Sequence, residues 1–252
     1  MRVAVLADVH GNLPALDAVL AELTAERLDL VVSGGDVVAG PMPAETLARL
    51  LALAETVPML WIMGNADRET IGAWDAGRSA DRDDPAGRAA RWAAERLDRT
   101  ARDFLASFAV SAAADGVRYC HGSPRSDLEI LTAASPRRRV DEALAGVAER
   151  LVVHGHTHHQ YDHGRVAGAG SVGMPYEGRP GAFWALAERG RVHHRTTAYD
   201  LAAAGAAIRA TGYPDAEDLL AESLEDPIPR REVLAVFEQA AQTPVWQHRV
   251  DE

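Results

Sequence analysis

Apolar positions follow two alternating periods through the first third of the chain. Residues 3–7 are a short apolar run, and 28–33 and 58–63 are largely apolar; all three predict strands. Leu13, Leu16, Val19, Leu20 and Leu23 recur at helical spacing and predict a helix over 13–27. Pro43 opens a second helix, over 43–55. This β-α-β-α-β rhythm predicts parallel strands joined by right-handed crossovers. Polar residues at the strand exits would then share one sheet edge, where α/β proteins place their ligands.

Farther along, residues 73–86 are rich in Asp, Gly and Arg and predict a loop, and 87–108 predicts one long helix with a charged face. Residues 110–114 and 117–120 read as a hairpin turned by Asp115-Gly116. A helix is expected over 138–150. A strand over 151–154 runs into His154-Gly155-His156-Thr157-His158-His159. Four short strand patterns follow, at 160–163, 165–167, 182–187 and 192–197, turned at His163-Gly164 and Arg189-Gly190 as in antiparallel meanders. From Asp200 the pattern is helical. The expected organisation is a core over 1–198, with an insertion at 73–108 walling the site and shaping substrate entry, and a helical appendage over 199–252.

Five short motifs follow strand patterns: Asp8-Val9-His10, Gly35-Asp36, Gly64-Asn65-Ala66-Asp67, His121-Gly122 and Gly155-His156-Thr157-His158. Taken singly, each has a bland reading as a cap, a turn or a surface histidine. Together they offer carboxylates, an amide oxygen and imidazoles, the ligand types of divalent metals. Most are flanked by glycine, which lets the backbone turn sharply enough for side chains to converge. His156 and His158 stand at alternate positions, so both rings can reach one site.

In this order the motifs resemble the calcineurin-like metallophosphoesterase superfamily over roughly residues 1–190, and the opening Met1 to Asn12 is similar to its small bacterial and archaeal phosphodiesterase branch. The resemblance implies an α/β fold, a four-layer αββα sandwich of two mixed sheets with outer helices. It implies two divalent transition-metal ions, of Mn, Fe, Zn, Co or Ni type. Asp8, His10 and His158 would hold one ion, Asn65, His121 and His156 the other, and Asp36 would bridge them. Asp36, Asn65 and His121 would be catalytic as well as ligating. The implied reaction is hydrolysis of a small phosphate ester, foremost a diester, by a hydroxide shared between the ions.

Many superfamily members carry histidine after Gly-Asn, to help the leaving group depart. Here that position is Ala66, while Asp67 is kept, which favours a diester or anhydride whose leaving group needs less acid catalysis. His154 or His159 is the candidate replacement donor. Asp67 reads equally as a cap and as a site residue. Arg68, Arg125 and Arg179 lie near the motif loops and could grip phosphate, although each reads first as a surface arginine. Gly170-Ser171 reads as a tight connection between strands. The alternatives are a phosphomonoesterase or protein phosphatase, and a dinucleotide polyphosphate hydrolase. A non-enzymatic scaffold is disfavoured because all seven ligand positions are filled. The histidine run has His158 where metallo-β-lactamase-type hydrolases need Asp, and that fold would leave Asp8 and Asp36 unexplained.

Composition narrows the picture. A chain of 252 residues suits one large α/β domain or a core of about 200 residues with an appendage. The single cysteine, Cys120, excludes an intrachain disulfide and a Cys-rich zinc site. Net charge is −11 and the one basic tract is Arg137-Arg138-Arg139, read as the start of a helix, so nucleic-acid binding is not indicated. No apolar run approaches the ~20 residues that span a bilayer, and no membrane partner is expected. A cytoplasmic protein is the expectation. The acidic balance and the terminal helices leave room for a homo-oligomer.

Overall fold

The computed structural model describes residues 1–77 and 84–243. In chain order the elements are β1 (Arg2–Leu6), α1 (Leu13–Leu23), β2 (Leu30–Ser33), α2 (Pro43–Ala54), β3 (Met59–Trp61) and α3 (Asn65–Ala76). After these come α4 (Pro85–Ala94), α5 (Arg99–Leu105), β4 (Ser111–Ala114), β5 (Val117–Cys120), α6 (Arg137–Ala143), β6 (Leu151–His154), β7 (Gln160–His163) and β8 (Val166–Ala169). The chain continues through β9 (Ala182–Glu188), β10 (Arg191–Thr197), α7 (Leu201–Ala210), α8 (Ala216–Leu220), a π-helical turn (Ala221–Glu225) and α9 (Arg230–Ala240).

Two five-stranded sheets form, ordered β10-β9-β1-β2-β3 and β4-β5-β6-β8-β7. As predicted, β1, β2 and β3 run parallel with α1 and α2 as crossovers. In the second sheet β5, β6 and β8 are parallel. Both sheets carry antiparallel outer strands, so both are mixed. Val3, Val5 and Val32 of the first sheet pack on Tyr119, Leu151 and Val153 of the second. The opposite face of the first sheet, through Ala4, Leu6 and Val31, meets Leu16 and Val19 of α1 and Leu47 and Leu50 of α2. The outer face of the second, through Cys120, Val152 and Val166, meets Val140 and Ala143 of α6. That is the four-layer αββα sandwich. Strands covered on both faces read as unbroken apolar runs, which is why β1, β2 and β6 were legible.

Several expectations need correction. Residues 73–76 are not loop but the last turn of α3, where Ile71 packs on the core and Trp74 bonds Leu97 O. The rest of the predicted loop falls partly on residues 78–83, outside the described residues. The long helix over 87–108 is two helices. Asp98 starts α5 as an N-cap, its side chain accepting from Ala101 N. The helix predicted over 138–150 ends at Ala143, and Gly146 lies beyond it with φ +79°. The meander is split between sheets: β7 and β8 pair in the second, β9 and β10 in the first. The hairpin at Asp115-Gly116 forms with both residues at positive φ. Arg137 to Arg139 open α6, and each pairs with a carboxylate.

C-terminal to the sandwich, Ala204, Ile208, Leu219, Leu220 and Leu224 form a cluster of their own. Trp92 of α4, Met42 and Met174 pack against it. Arg88 of α4 forks onto Asp215, 2.6 Å at the shortest.

Candidate metal centre

All five motifs leave the C-terminal ends of parallel strands: β1, β2 and β3 in one sheet, β5 and β6 in the other. The structure brings the seven predicted side chains together. His158 Nε2 lies 3.2 Å from Asp8 Oδ1 and 3.2 Å from His10 Nε2. His121 Nε2 lies 3.1 Å from Asn65 Oδ1 and 3.2 Å from Asp36 Oδ2. The same Asp36 oxygen is 3.7 Å from His10 Nε2, so one carboxylate faces both groups. The His156 ring lies beside His121, with centroids 5.1 Å apart. Asp8, His10, Asp36 and His158 each offer a ligand atom within 4.8 Å of the others and form a candidate metal-binding group.

The backbone is bent to achieve this. Among the described residues, seven non-glycine positions have positive φ. Two, Asp115 and Arg189, are hairpin turns. The other five are Asp8, His10, Asp36, His156 and His158, with φ between 47° and 65°. Such conformations cost of order 1–3 kcal/mol each and persist where surroundings over-determine them. Glycines then admit the carboxylates. A Cβ on Gly64 would stand 2.1 Å from Asp36 Oδ1, and one on Gly155 would stand 2.4 Å from Asp8 Oδ2.

Three imidazoles are oriented in the same way. Nδ1 of His10 donates to Ala39 O at 3.1 Å, that of His121 to Gly34 O at 2.9 Å and that of His158 to Met174 O at 2.6 Å. In the neutral ring this leaves Nε2 as a bare lone pair aimed inward. Two such lone pairs, on His10 and His158, face each other beside two carboxylates. That arrangement suits a shared cation and little else.

The electrostatics agree. Burial pushes the Asp8 carboxyl up, but His158 and His121 more than offset it and hold the group below its usual range. Asp36 is likewise driven well below that range, with His121 overcoming burial. His121 answers in the opposite sense: burial lowers it, Asp36 raises it further, and it is left at about 10. His156 is pushed down to about 4 by burial and by His121, and burial also lowers His10. Two buried carboxylates therefore demand positive charge, and oxygen and nitrogen donors surround the place where it is needed. The residues fit divalent metal ions.

Buried groups brace the loops. Asp67 Oδ1 accepts from Val37 N at 2.9 Å and from Val38 N at 3.3 Å, and Oδ2 accepts from Gly64 N at 3.3 Å. Burial and the Asp36 charge push its carboxyl up to about 7. Asp67 thus joins the Asp36 loop to the start of α3 as a structural brace. Ala66 N donates to Asp36 Oδ1 at 2.8 Å, and His156 N donates to both Asp8 oxygens at 3.1 Å. Ser171 Oγ donates to Asp8 O at 2.7 Å, so the Gly170-Ser171 connection between β8 and β9 buttresses the Asp8 loop. Asn12, fully buried, caps α1 and donates to Gly173 O at 2.8 Å.

The arginines near the loops are engaged elsewhere. Arg68 pairs with Asp127, Arg125 forks onto Glu129, and Arg179 lies over the Phe183 ring. His154 bonds Tyr161 Oη at 2.5 Å in the outer layer of the second sheet. His159 is buried beside Tyr176 and Phe237, and burial lowers it to about 4. Sequence reasoning missed a contact with the ligand rings: Tyr176 stacks on His158, centroids 4.8 Å apart, and Phe237 of α9 packs against Tyr176. No sequence signal marks either residue.

Residues 1–189 match the calcineurin-like phosphoesterase superfamily domain. The chain belongs to that superfamily. The phosphoesterase is similar in structure to a metallophosphoesterase from Sphaerobacter thermophilus, with 29% identity and a TM-score of 0.69, covering 87% of this chain and 97% of that one. A hypothetical protein from Pyrococcus horikoshii OT3 shares the fold at 22% identity and a TM-score of 0.74, covering 88% and 96%. A cold-active protein-tyrosine phosphatase of a psychrophilic Shewanella shares it at 16% identity and a TM-score of 0.54, covering 78% and 80%. No curated protein matches. The phosphoesterase is a phosphoric ester hydrolase of a metal-dependent family, and no helix among its described residues is long and apolar enough to cross a membrane.

Proposed function

We propose that this phosphoesterase is a two-metal phosphodiesterase. The observation that carries the reading is the place of Asp36 Oδ2, 3.2 Å from His121 Nε2 and 3.7 Å from His10 Nε2. One carboxylate oxygen faces two donor groups, as a bridging ligand must. Asp8, His10 and His158 would hold one ion, Asn65, His121 and His156 the other, and Asp36 both. Ions of Mn, Fe, Zn, Co or Ni type suit this mixture of nitrogen and oxygen. Such ions supply Lewis acidity towards phosphoryl oxygens and hydroxide at neutral pH.

The chain's own residues set the rest. The carbonyls of Ala39, Gly34 and Met174 fix three ring orientations, so the donor atoms are aimed before any ligand arrives. Position 66 offers a methyl group and a backbone N–H already committed to Asp36. No proton reaches the leaving oxygen from there. Buried and bonded to Tyr161, His154 is no substitute, and His159 sits in an aromatic pocket. A site without that donor favours substrates whose leaving group departs unaided, which supports the diester reading. The test is hydrolysis of bis-p-nitrophenyl phosphate and p-nitrophenyl phosphate by metal-stripped protein with and without Mn²⁺. Metal-dependent turnover favouring the diester is expected. Preference for the monoester would overturn the reading.

A further inference from the structure

A cleft of about 730 Å³ opens beside His156. One wall is the segment after β5, through Leu128 and Ile130. The other is α9, through Val236, Phe237 and Ala240. Val236 is 65% exposed, the most open large apolar side chain among the described residues. Apolar surface left open at the lip of a cleft that reaches a reactive centre marks a place where a ligand is desolvated.

The wall is fixed. Arg230 Nη1 pairs with Glu177 at 3.0 Å, and its Nη2 donates to Gln160 O at 2.7 Å, which ties the start of α9 to β7. Near the other end Glu238 Oε1 accepts from Thr132 Oγ1 at 2.6 Å, Arg139 Nη1 at 3.0 Å and Ser135 Oγ at 3.3 Å. Between them Phe237 lies against Tyr176 and His159. The helix therefore rests on the aromatic residue that stacks on His158. The two arginines of the lining are neutralised, Arg138 by Glu142 and Arg139 by Glu238. Among the described residues of the lining an anionic chain finds no unpaired cation, and an uncharged apolar group finds the side chains of Leu128, Ile130 and Val236.

We infer that this cleft seats the non-reacting ester group of the substrate, and that this group is uncharged, apolar and at least the size of an aromatic ring. The inference deepens the phosphodiesterase reading and rests on it for the reacting phosphate. It makes α9, outside the matched superfamily domain, a specificity element, with Val236 as the contact most open to the ligand.

The probes are diphenyl phosphate and dimethyl phosphate, monoanions that differ in both ester groups, one of which would enter the cleft. Their binding to the Mn²⁺-loaded full chain is measured by titration calorimetry. Diphenyl phosphate should bind at least about tenfold tighter, the discrimination that a desolvated apolar contact of this size gives. Val236→Asp, at an exposed position that leaves the fold intact, should reduce that ratio to below about threefold by placing a charge on the wall. Equal affinity in the wild type, no binding of diphenyl phosphate, or a ratio that survives Val236→Asp would each overturn the inference. Aryl preference in a protein that turns over no diester would sink the phosphodiesterase reading and leave the cleft as an apolar subsite with no non-reacting ester group to seat. Diester turnover without aryl preference would do the reverse.

Discussion

Asp36 and α9 border the same site and are held in different ways. Around Asp36 the partners are buried: the His121 ring, the N–H of Ala66 and the loop that Asp67 holds by three backbone donors. Its backbone is left-handed, and a glycine Cα–H stands where any Cβ would collide with it. Around α9 buried groups, among them Thr132 and Ser135, are joined to charged side chains that are partly open to water. Arg230 is 41% exposed in its pair with Glu177, and Glu238 is 21% exposed in its pair with Arg139. A centre made of buried, mutually dependent groups fails as a unit when one is lost. A wall held by screened ion pairs yields by degrees. On the proposed function, chemistry is fixed by the first region and substrate fit by the second.

The sharpest way to break that contrast is Asp36→Asn. It keeps shape and removes the charge that both donor groups face. Bound metal, read by elemental analysis, should fall from about two ions per chain to below one, and kcat/KM for the aryl diester should drop by roughly 10³-fold, the scale for losing a principal electrostatic element. Circular dichroism should be unchanged. Full metal occupancy at wild-type rate would show that Asp36 is not shared.

Asp67→Ala tests whether the brace belongs with the centre. It strands the buried N–H groups of Val37 and Val38 and loosens Gly64. The expected loss is about 2–4 kcal/mol of unfolding free energy, from two or more buried donors left unpaired. Metal affinity should weaken by about 10–100-fold, as for other residues that orient ligands. Asp67→Asn, which keeps an acceptor oxygen towards Val37, should restore part of both. A variant with normal metal affinity and lowered stability alone would make Asp67 a fold residue only.

The sequence made the centre legible and left the wall obscure, for a physical reason. Each proposed ligand sits one to four residues beyond a strand, so local pattern alone locates it, and the parallel order of β1, β2 and β3 brings the exits together. Glycines at 64 and 155 were visible as turn signals, though their real constraint is the carboxylate packed against each. The left-handed backbone of Asp8, His10, Asp36, His156 and His158 could not be read, because Asp and His carry no mark of it. Helix ends set by one side chain were missed, as at Asp98, where the apolar period runs on through the break. The cleft wall was missed because Leu128 and Val236, about 100 residues apart in the chain, line one cleft. The wall expected at 73–108 is a separate proposal. None of the residues lining the cleft at His156 comes from that segment among the described residues.

The smallest effect belongs to the wall. Glu238→Ala removes one acceptor shared by Thr132, Ser135 and Arg139. Thr132 and Ser135 are buried and Arg139 is 20% exposed, so the stranded donors should lower stability by about 1–3 kcal/mol, a decrease in Tm of roughly 2–4 °C per kcal/mol for a domain of this size. Near its C-terminal end α9 would then move more freely against the segment at 128–139. An apolar ester group would find a less ordered surface, and KM for bis-p-nitrophenyl phosphate should rise about threefold, more than kcat falls, since the ligand rings keep their own carbonyl partners. A fall in kcat with KM unmoved would mean that α9 acts on the centre through Phe237, Tyr176 and His158. The contrast between a fixed centre and an adjustable wall would then be replaced by a single coupled unit.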